Sequence, residues 1–265
     1  MPEGHTIHRI AKDHGALLNG RIVAVSSPQG RFEADAARVD GHVLTSIEAY
    51  GKHLFYHWDN GDVGHVHLGL FGKFRVATGP QAPQPVGMVR MRLQSDLATI
   101  DLAGPTACSI ASPTERAAII ARLGPDPLRR DAKPAVALAR MAKSKQSLGA
   151  VLLDQAVLAG VGNVFRAEAL FVNGINPHRA GRDTDPVELQ ALWTTIVAML
   201  RQGVKDNRII TVDRSELGIP RGKPLRRGEA NYVYHRDVCL RCGTPIQIAQ
   251  LAGRACYYCP VCQPN

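Results

Sequence analysis

The sequence predicts an α+β protein: an antiparallel β-sandwich with flanking helices, then a helical region that ends in a cysteine-rich hairpin. Three features lead to this prediction. Short alternating strand patterns separated by turns fill residues 21–102. Helical patterns dominate from residue 128 to about residue 203, and two Cys-x-x-Cys pairs close the chain. The regular spacing of the strands favours an antiparallel sandwich over a parallel sheet.

The N-terminal region begins with a helix and continues as strands. Apolar residues recur at helical spacing over residues 5–18, which predicts an amphipathic helix. The Asp-Asn-Gly-Asp sequence at residues 59–62 is typical of a hairpin turn. The predicted strands span residues 21–26, 43–50, 53–58, 63–68, 73–77, 88–93 and 98–102.

Capping signals and a stiff connector divide the rest of the chain. Ser112-Pro113-Thr114-Glu115 combines an N-cap, a proline at the first helical position and a capping glutamate. The helix that follows ends at the Gly-Pro-Asp-Pro connector, residues 124–127, and a second capping signal stands at residues 185–188. A charged, aperiodic stretch over residues 204–231 is typical of a mobile loop. We therefore expect three domains, at residues 1–123, 124–230 and 231–265.

Composition narrows the class of partner. The chain has 265 residues, a formal net charge of +9 and a pI of about 9.5, which favour a polyanionic partner. We find no apolar run long enough to cross a bilayer, so we expect a soluble protein without a membrane partner. Nothing at the N-terminus resembles a signal peptide, which favours a reducing compartment.

The C-terminal cysteines predict one structural zinc ion. Each Cys-x-x-Cys pair presents two thiolates from a tight turn, and two such pairs form a tetrahedral site that suits Zn²⁺. The alternatives are two disulfides, which a reducing compartment disfavours, or cysteines that bind no ligand. The predicted ligands are Cys239, Cys242, Cys259 and Cys262.

Cys256 leaves a second pairing open, since it stands three residues before Cys259. We favour Cys259 with Cys262, because Pro260 stiffens that turn. The intervening residues then form a hairpin, with strands at 245–250 and 254–258 around an Ala-Gly turn. Arg241 and Arg254 belong to this hairpin and make it basic.

The Met1-Pro2-Glu3 start contains a candidate nucleophile. Removal of the initiator methionine, which is usual before a small residue, would leave Pro2 with a secondary amine. The pKa of such an amine lies far below that of lysine, so a neutral fraction exists near about pH 7 to 8. Many unrelated chains begin in this way, so the tripeptide alone indicates little.

A glycine-rich turn lies between two predicted helices in the middle of the chain. Gly160 and Gly162 can expose backbone N–H groups at a helix start, an arrangement that binds phosphate. Asn163 can add a side-chain amide. An ordinary connection between helices is the alternative.

Together and in order, these motifs resemble the formamidopyrimidine-DNA glycosylase/endonuclease VIII family of base-excision repair enzymes. The resemblance covers nearly the whole chain. It implies a helix–two-turn–helix domain ending in a zinc finger, and damaged or abasic double-stranded DNA in a basic cleft between domains. It also implies a monomer in the bacterial cytoplasm. The motifs are the Pro2-Glu3 start, Gly51-Lys52, His67-Leu68-Gly69, Leu123–Leu128, residues 152–163 and the hairpin with Gly253-Arg254.

The resemblance assigns chemistry to matching residues. Pro2 matches the N-terminal amine that attacks C1′ of an extruded nucleotide and forms an iminium, after which the strand breaks by β- and δ-elimination. Glu3 matches the acid/base carboxylate. Lys52 matches a lysine that assists as proton donor, although a solvated lysine at a strand edge is the alternative. Arg254 matches the hairpin arginine that grips a phosphate and supports δ-elimination.

Other residues match predicted DNA contacts. Leu70 and Phe71 lie between two glycines at a turn and are candidates for an apolar wedge, or alternatively for a contact with the core. His65 and His67 alternate on one strand face and could form a metal pair. With two candidate ligands, we favour His67 as a DNA or active-site contact. Asn163 is the remaining predicted DNA contact.

The branch of the family is assigned from positions at which this sequence departs from the usual pattern of one branch or matches that of the other. Residues 103–107 lack the arginine and phenylalanine usual in formamidopyrimidine glycosylases, and Gly149 stands where those enzymes usually have a lysine. Residues 232–237 and Gly4 resemble endonuclease VIII, which implies that oxidised pyrimidines are preferred. A formamidopyrimidine/8-oxoguanine glycosylase is the alternative within the family, and a non-catalytic zinc-finger DNA-binding protein is the alternative of another class. His5-Thr6 replaces the Pro-Glu usual in both branches.

Overall fold

The computed structural model describes residues 2–79, 81–216, 218, 220, 225 and 227–265. The chain forms two compact units, Met1–Arg122 and Leu123–Asn265. Part of the predicted loop at 204–231 lies outside the described residues, as does Met1 itself. None of the helices among the described residues combines the length and the apolarity that a bilayer crossing needs.

Among its described residues, the first unit contains eight strands and three helices. Its helices are α1 (Gly4–Leu18), α2 (Glu33–Val39) and α3 (Pro113–Ala121). Its strands are β1 (Arg21–Ser26), β2 (His42–Tyr50), β3 (His53–Trp58), β4 (Val63–His67), β5 (Lys73–Thr78), β6 (Val89–Gln94), β7 (Ala98–Ala103) and β8 (Ala107–Ala111). The predicted strands are found within one residue at each end. Helix α2 and strand β8 were not predicted, since α2 has no side-chain cap and β8 is rich in alanine.

All strand pairs in this unit are antiparallel, in the order β5-β7-β6-β1-β2-β3-β4-β8. Strand β1 pairs with β2 through residues 21–23 and with β6 through residues 24–26, so it belongs to both halves of the sheet. Leu54 from one half and Leu93 from the other are fully buried in one apolar cluster. The predicted β-sandwich with flanking helices is therefore confirmed.

A buried polar contact holds helix α1 against the sheet. His14 Nδ1 and the Tyr56 hydroxyl share a hydrogen bond of 2.8 Å inside the core. Burial lowers the pKa of His14 to about 4 and raises the pKa of Tyr56 well above its usual value, so both groups are neutral near pH 7. Ile7 and Leu18 of α1 also pack in the core, so this helix has a fixed place in the unit. Pro2 and Glu3 directly precede its first residue.

The second unit is helical and ends in a hairpin. Its elements are α4 (Pro134–Lys143), α5 (Leu148–Val151), α6 (Asn163–Val172), α7 (Pro186–Asp206), β9 (Gln247–Leu251) and β10 (Arg254–Tyr258). The capping boxes predicted at Ser112 and Asp185 are both present. Helix α7 continues three residues beyond the predicted end at residue 203, and it stops where Asn207 adopts a left-handed φ of 51°.

The C-terminal hairpin packs on helix α6. Phe171 of α6 shares an apolar cluster with Val233, Cys239 and Cys259. The β9–β10 turn has positive φ at both central positions, 52° at Ala252 and 70° at Gly253, which matches the right-handed twist of paired strands. The predicted turn and second strand are confirmed, whereas the first strand begins at residue 247 instead of 245.

Candidate functional site

Four cysteine thiols form a compact group at the base of the hairpin. The Sγ atoms of Cys239, Cys242, Cys259 and Cys262 all lie within 4.8 Å of one another, and the separations of three pairs are 3.5, 3.5 and 3.9 Å. Thiolates about 2.3 Å from a tetrahedral ion are about 3.8 Å apart, so this group fits such an ion. Cys256 is buried in β10 opposite Ala249 and stands outside the group. Of the two pairings considered, the structure brings together Cys259 and Cys262.

The protein environment shifts the pKa values of the thiols in opposite directions. The Thr244 hydroxyl and backbone lower the pKa of Cys242 to about 6. Burial raises the pKa of Cys239 and of Cys262. A bound dication reverses that direction, because it favours the thiolate directly.

Gln263 fixes the second cysteine pair to the segment that follows helix α6. Its side chain is fully buried, accepts a hydrogen bond from Cys259 N at 3.0 Å and donates one to Ile175 O at 2.8 Å. Its carbonyl accepts from Asn176 Nδ2 at 3.0 Å. The ligand turn is therefore held from outside the metal group, as outer-shell partners commonly hold metal ligands.

Glu3 occupies the N-terminal end of helix α1. It is fully buried, and its carbonyl accepts hydrogen bonds from Thr6 N at 2.9 Å and Ile7 N at 3.4 Å. A carboxylate at this end of a helix is favoured by the helix dipole. The neighbouring His5 is also buried, and burial lowers its pKa to about 4. The His5-Thr6 pair is therefore neutral near pH 7, unlike the glutamate that the family usually has there.

Lys52 lies in the tight turn between β2 and β3. Tyr50 pairs with His53 across that turn, and Gly51 adopts a φ of 57°, which glycine tolerates without strain. The Lys52 side chain is half-buried. Its positive charge is among the causes that lower the pKa values of His53 and His67, so it acts on a histidine cluster in the same unit.

That cluster consists of His53, His65 and His67 on one face of β3 and β4. His53 Nδ1 lies 2.8 Å from His65 Nε2, and the rings of His53 and His67 are 4.9 Å apart. Burial, reinforced by the neighbouring histidines, lowers the pKa of His53 to about 3 and that of His65 to about 4. Sequence analysis missed His53, although the turn at residues 59–62 pairs β3 with β4 and so places His53 opposite His67.

His67 supports the turn that follows it. Its Nδ1 accepts a hydrogen bond from Gly69 N at 3.2 Å, so Nε2 carries the proton of the neutral ring. Among the described residues, the four cysteines form a group of three or more His, Cys, Asp or Glu side chains that lie close enough to share a metal ion, and the three histidines do not. A DNA contact by His67 therefore remains the prediction, rather than a metal pair with His65.

Leu70 and Phe71 project from the β4–β5 turn. Their side chains are 55% and 83% exposed, so packing against the core does not account for them. Gly72 N donates to Leu68 O at 2.9 Å and closes the turn. A Cβ on Gly104 would lie 3.3 Å from Phe71 O, which shows that the 103–107 segment borders this turn. An exposed apolar tip of this kind is a feature of side chains that enter base steps.

In the glycine turn before α6, residues 160–162, two backbone groups are hydrogen-bonded to the side chain of Gln155. Gly160 N donates to Gln155 Oε1 at 3.0 Å, and Gln155 Nε2 donates to Val161 O at 3.0 Å. The expectation that both glycine amides face a phosphate is therefore wrong for Gly160. Asn163 Nδ2 donates to Ala255 O at 2.9 Å, and its Oδ1 accepts from Arg166. A phosphate contact by Asn163 remains a prediction.

Arg166 is a residue that sequence analysis missed. Its fully buried guanidinium donates to Gly149 O at 2.9 Å, Leu251 O at 3.1 Å and Ala255 O at 3.0 Å. Leu251 and Ala255 flank the hairpin turn that carries Arg254. Arg166 therefore fixes the tip of the hairpin to helix α6.

Gly149 is explained by the same packing. A Cβ at this position would lie 2.5 Å from Leu251 Cδ1 and 2.9 Å from Pro177 O. A larger residue at position 149 would therefore require the Leu251 side chain and the backbone at Pro177 to shift.

We expect Arg166→Met to loosen the hairpin while the metal stays bound. Hydrogen bonds from a charged donor contribute about 1.5–3 kcal/mol each, so loss of the guanidinium should lower the free energy of unfolding by about 3 kcal/mol. Hydrogen exchange over residues 247–258 should accelerate, with metal content unchanged. Arg201→Met, on the exposed side of α7, is the matched control. Unaltered exchange in Arg166→Met would show that the carbonyl contacts do not hold the hairpin.

The fold and the cysteine group define a class of two-unit protein, in which a β-sandwich is followed by a helix–two-turn–helix region and a cysteine finger. Two family models match the chain: the formamidopyrimidine-DNA glycosylase N-terminal domain over residues 1–106 and the formamidopyrimidine-DNA glycosylase H2TH domain over residues 123–214. The chain therefore belongs to the formamidopyrimidine-DNA glycosylase/endonuclease VIII family, as the motifs predicted.

Individual relatives support the same family. An "Endonuclease 8 1" of Mycobacterium tuberculosis is 46% identical over 269 residues, covering 99% of this chain and 100% of the relative. A formamidopyrimidine-DNA glycosylase of Thermosynechococcus vestitus is 33% identical, covering 100% of this chain and 96% of the relative. The crystal structure of the Lactococcus lactis formamidopyrimidine-DNA glycosylase, bound non-covalently to DNA containing an AP site, has the same fold. Its TM-score is 0.80 at 22% identity, with 99% of this chain and 100% of that chain covered.

Proposed function

We propose that this protein is a bifunctional DNA glycosylase and AP lyase of base excision repair, acting on oxidised bases in double-stranded DNA. The observation that carries the proposal is the full-length similarity at 46% identity to a protein named endonuclease 8. Family membership supports glycosylase activity in DNA repair. The Pro2-Glu3 start, the basic composition and the four-cysteine hairpin support the finer statement.

The proposed reaction begins at Pro2, after removal of Met1. The lone pair of the Pro2 nitrogen attacks C1′ of the extruded nucleotide, the bond from C1′ to the base breaks, and the base leaves with a proton. Opening of the sugar ring gives an iminium. Loss of a C2′ proton then expels the 3′ phosphate, and a second elimination expels the 5′ phosphate.

Glu3 is proposed to move the protons around C1′. Its position at the start of α1 makes it the carboxylate nearest in sequence to Pro2, and it protonates the sugar ring oxygen as the ring opens. His5 and Thr6 add no charge beside it. Lys52, on its fixed turn, is proposed to donate a proton at the lesion. The side chains of His53, His65 and His67 are neutral near pH 7 and add no further positive charge.

The hairpin is proposed to hold DNA in place, with one Zn²⁺ on the four cysteines. Such an ion supplies folding energy to a small hairpin and takes no part in the bond changes. Arg254, at the start of β10, presents a fork of donors that suits a phosphate. Leu70 and Phe71 are proposed to fill the gap left by the extruded base, and Asn163 and His67 to contact the DNA backbone.

The proposed substrate preference is for oxidised pyrimidines. The 103–107 segment borders the Phe71 turn and contains no arginine that could make a bidentate contact with the base opposite the lesion. A single bidentate arginine–base contact is worth about 1–3 kcal/mol of discrimination, or about 5- to 150-fold. Without that contact, the identity of the opposite base should matter little.

We expect thymine glycol and 5-hydroxycytosine to be excised faster than 8-oxoguanine paired with cytosine. Single-turnover rates on otherwise identical duplexes, each with all four opposite bases, measure both properties. The opposite base should change the rate less than about fivefold, the lower bound for one lost arginine contact. Strong preference for 8-oxoguanine opposite cytosine would instead place the chain with the formamidopyrimidine branch.

A further inference from the structure

Arg241 lies between the first two cysteine ligands, yet its side chain binds within the protein. Its guanidinium lies 4.7 Å from the ring centroid of Phe171 and 5.0 Å from that of Tyr232. Its Nη2 donates to Glu216 Oε2 at 3.2 Å, and its Nε donates to Glu216 Oε1. This bidentate ion pair, stacked on aromatic rings, requires the planar guanidinium of arginine, which lysine lacks.

Tyr232 extends the contact to Asp213. The Tyr232 hydroxyl donates to Glu216 Oε2 at 2.6 Å and accepts from Asp213 N at 2.9 Å. Burial raises the pKa of Tyr232 to about 12, and the Arg241 guanidinium lowers the pKa of Glu216. The Tyr232 hydroxyl is therefore protonated and the Glu216 carboxylate is charged near pH 7, which favours the hydrogen bond between them.

A buried carboxylate anchors the same two stretches of chain. Glu168, fully buried on α6, accepts from Tyr232 N at 2.8 Å, Val233 N at 2.9 Å and Tyr234 N at 2.8 Å, and also from the Thr211 hydroxyl. Thr211 N donates to Ala230 O at 2.9 Å. Residues 211–216 and 230–234 are thus joined side by side.

Arg241 is attached to this assembly through the first cysteine turn, residues 239–242. Gly243 N donates to Cys239 O at 2.9 Å and Cys239 N donates to Thr244 O at 2.8 Å, so the turn itself is small. A metal ion on Cys239 and Cys242 fixes both ends of that turn. A metal ion bound by Cys239 and Cys242 would hold the backbone from which the Arg241 side chain extends.

We propose that Arg241 is a positioning residue that couples the metal-loaded first cysteine turn to residues 211–216. Loss of either the metal or the guanidinium releases this segment from Tyr232. This coupling rests on the proposed function in one respect, the metal ion proposed at the four cysteines. It lets the metal site determine the placement of residues 211–216, which are remote in sequence from the ligands. The coupling acts in the protein without DNA and does not depend on catalysis.

The test is a cycle of two changes, Arg241→Met and removal of the metal by EDTA, read by hydrogen exchange. In the untreated protein, we expect Arg241→Met to keep its metal and to speed exchange over residues 211–216 by at least about tenfold, as loss of a charge-assisted contact implies. EDTA should speed exchange of the same segment in the wild type and add little to it in Arg241→Met. Non-additivity of this kind is the signature of coupling.

Two further variants sharpen the result. Glu216→Gln should reproduce the exchange of Arg241→Met, while Arg241→Lys should restore it partly, since lysine keeps the charge and loses the fork. Arg201→Met should change nothing in this segment. Metal loss in Arg241→Met, unchanged exchange at 211–216, or fully additive effects of EDTA and substitution would each overturn the proposal. These outcomes are obtained without DNA, so they stay separate from any failure to excise a base.

Discussion

Addition of one residue before Pro2 should abolish borohydride trapping on DNA that contains an abasic site. The extra residue turns the Pro2 nitrogen into an amide, whose lone pair is delocalised and cannot attack C1′. Because the proposed chemistry depends on that nitrogen for both base removal and strand cleavage, both activities should fall below detection. Gel analysis of trapped complexes formed with the native and the extended protein measures the effect.

Controls separate lost chemistry from lost structure. The extended protein should still bind one metal ion and still bind DNA, because the cysteine group and Arg254 lie in the other unit. The intact mass of the native protein should lack one methionine. Pro2→Gly replaces the secondary amine with a primary amine at the same place and should act weakly. Undiminished trapping by the extended protein would exclude the N-terminal amine and move attention to Lys52.

Serine at any one of the four cysteine ligands should remove the metal and DNA binding together. Apparent metal-binding free energies of structural zinc sites are about 10–16 kcal/mol, far more than a short hairpin gains from its own packing. Cys239 and Cys259 also belong to the apolar cluster that joins the hairpin to Phe171, so loss of the ion should loosen that contact. We expect about one Zn²⁺ per chain in the wild type, measured by elemental analysis, and none in these variants.

Cys256→Ser is the matched control for the metal site. Cys256 is as buried as the ligands Cys239 and Cys259 but lies outside the group, so this substitution should keep both the metal and DNA binding. Its cost should be about 1 kcal/mol of folding stability, for a hydroxyl placed in an apolar strand face. Release of the metal by Cys256→Ser together with retention by Cys262→Ser would show that the ligand assignment is wrong.

Local signals predicted most of the fold. The capping boxes at Ser112 and Asp185, the Ala252-Gly253 turn and the alternating strands depend on neighbours a few residues away, which a sequence displays directly. Helix α2 and strand β8 were missed because their own residues carry weak signals. Helix α2 has no side-chain cap, and β8 consists of small residues that gain their place by pairing with β4.

The candidate site was predictable where a motif is local and unpredictable where partners are remote. The cysteine pairs and the exposed Leu70-Phe71 tip could be located from spacing. Arg166 could not, because its acceptors lie at residues 149, 251 and 255. Arg241 was counted as part of the basic hairpin surface, whereas its charge is used on Glu216. Charge in a sequence does not reveal whether it faces a partner or the protein itself.

The covalent bond proposed between Pro2 and DNA can be located by peptide mapping of the trapped complex. The native protein is reduced with borohydride on an abasic-site oligonucleotide, digested with protease and nuclease, and sequenced by tandem mass spectrometry. We expect a deoxyribose-derived mass on the peptide that begins with Pro2. The same mass on the Lys52 peptide, or no adduct on an active protein, would contradict it.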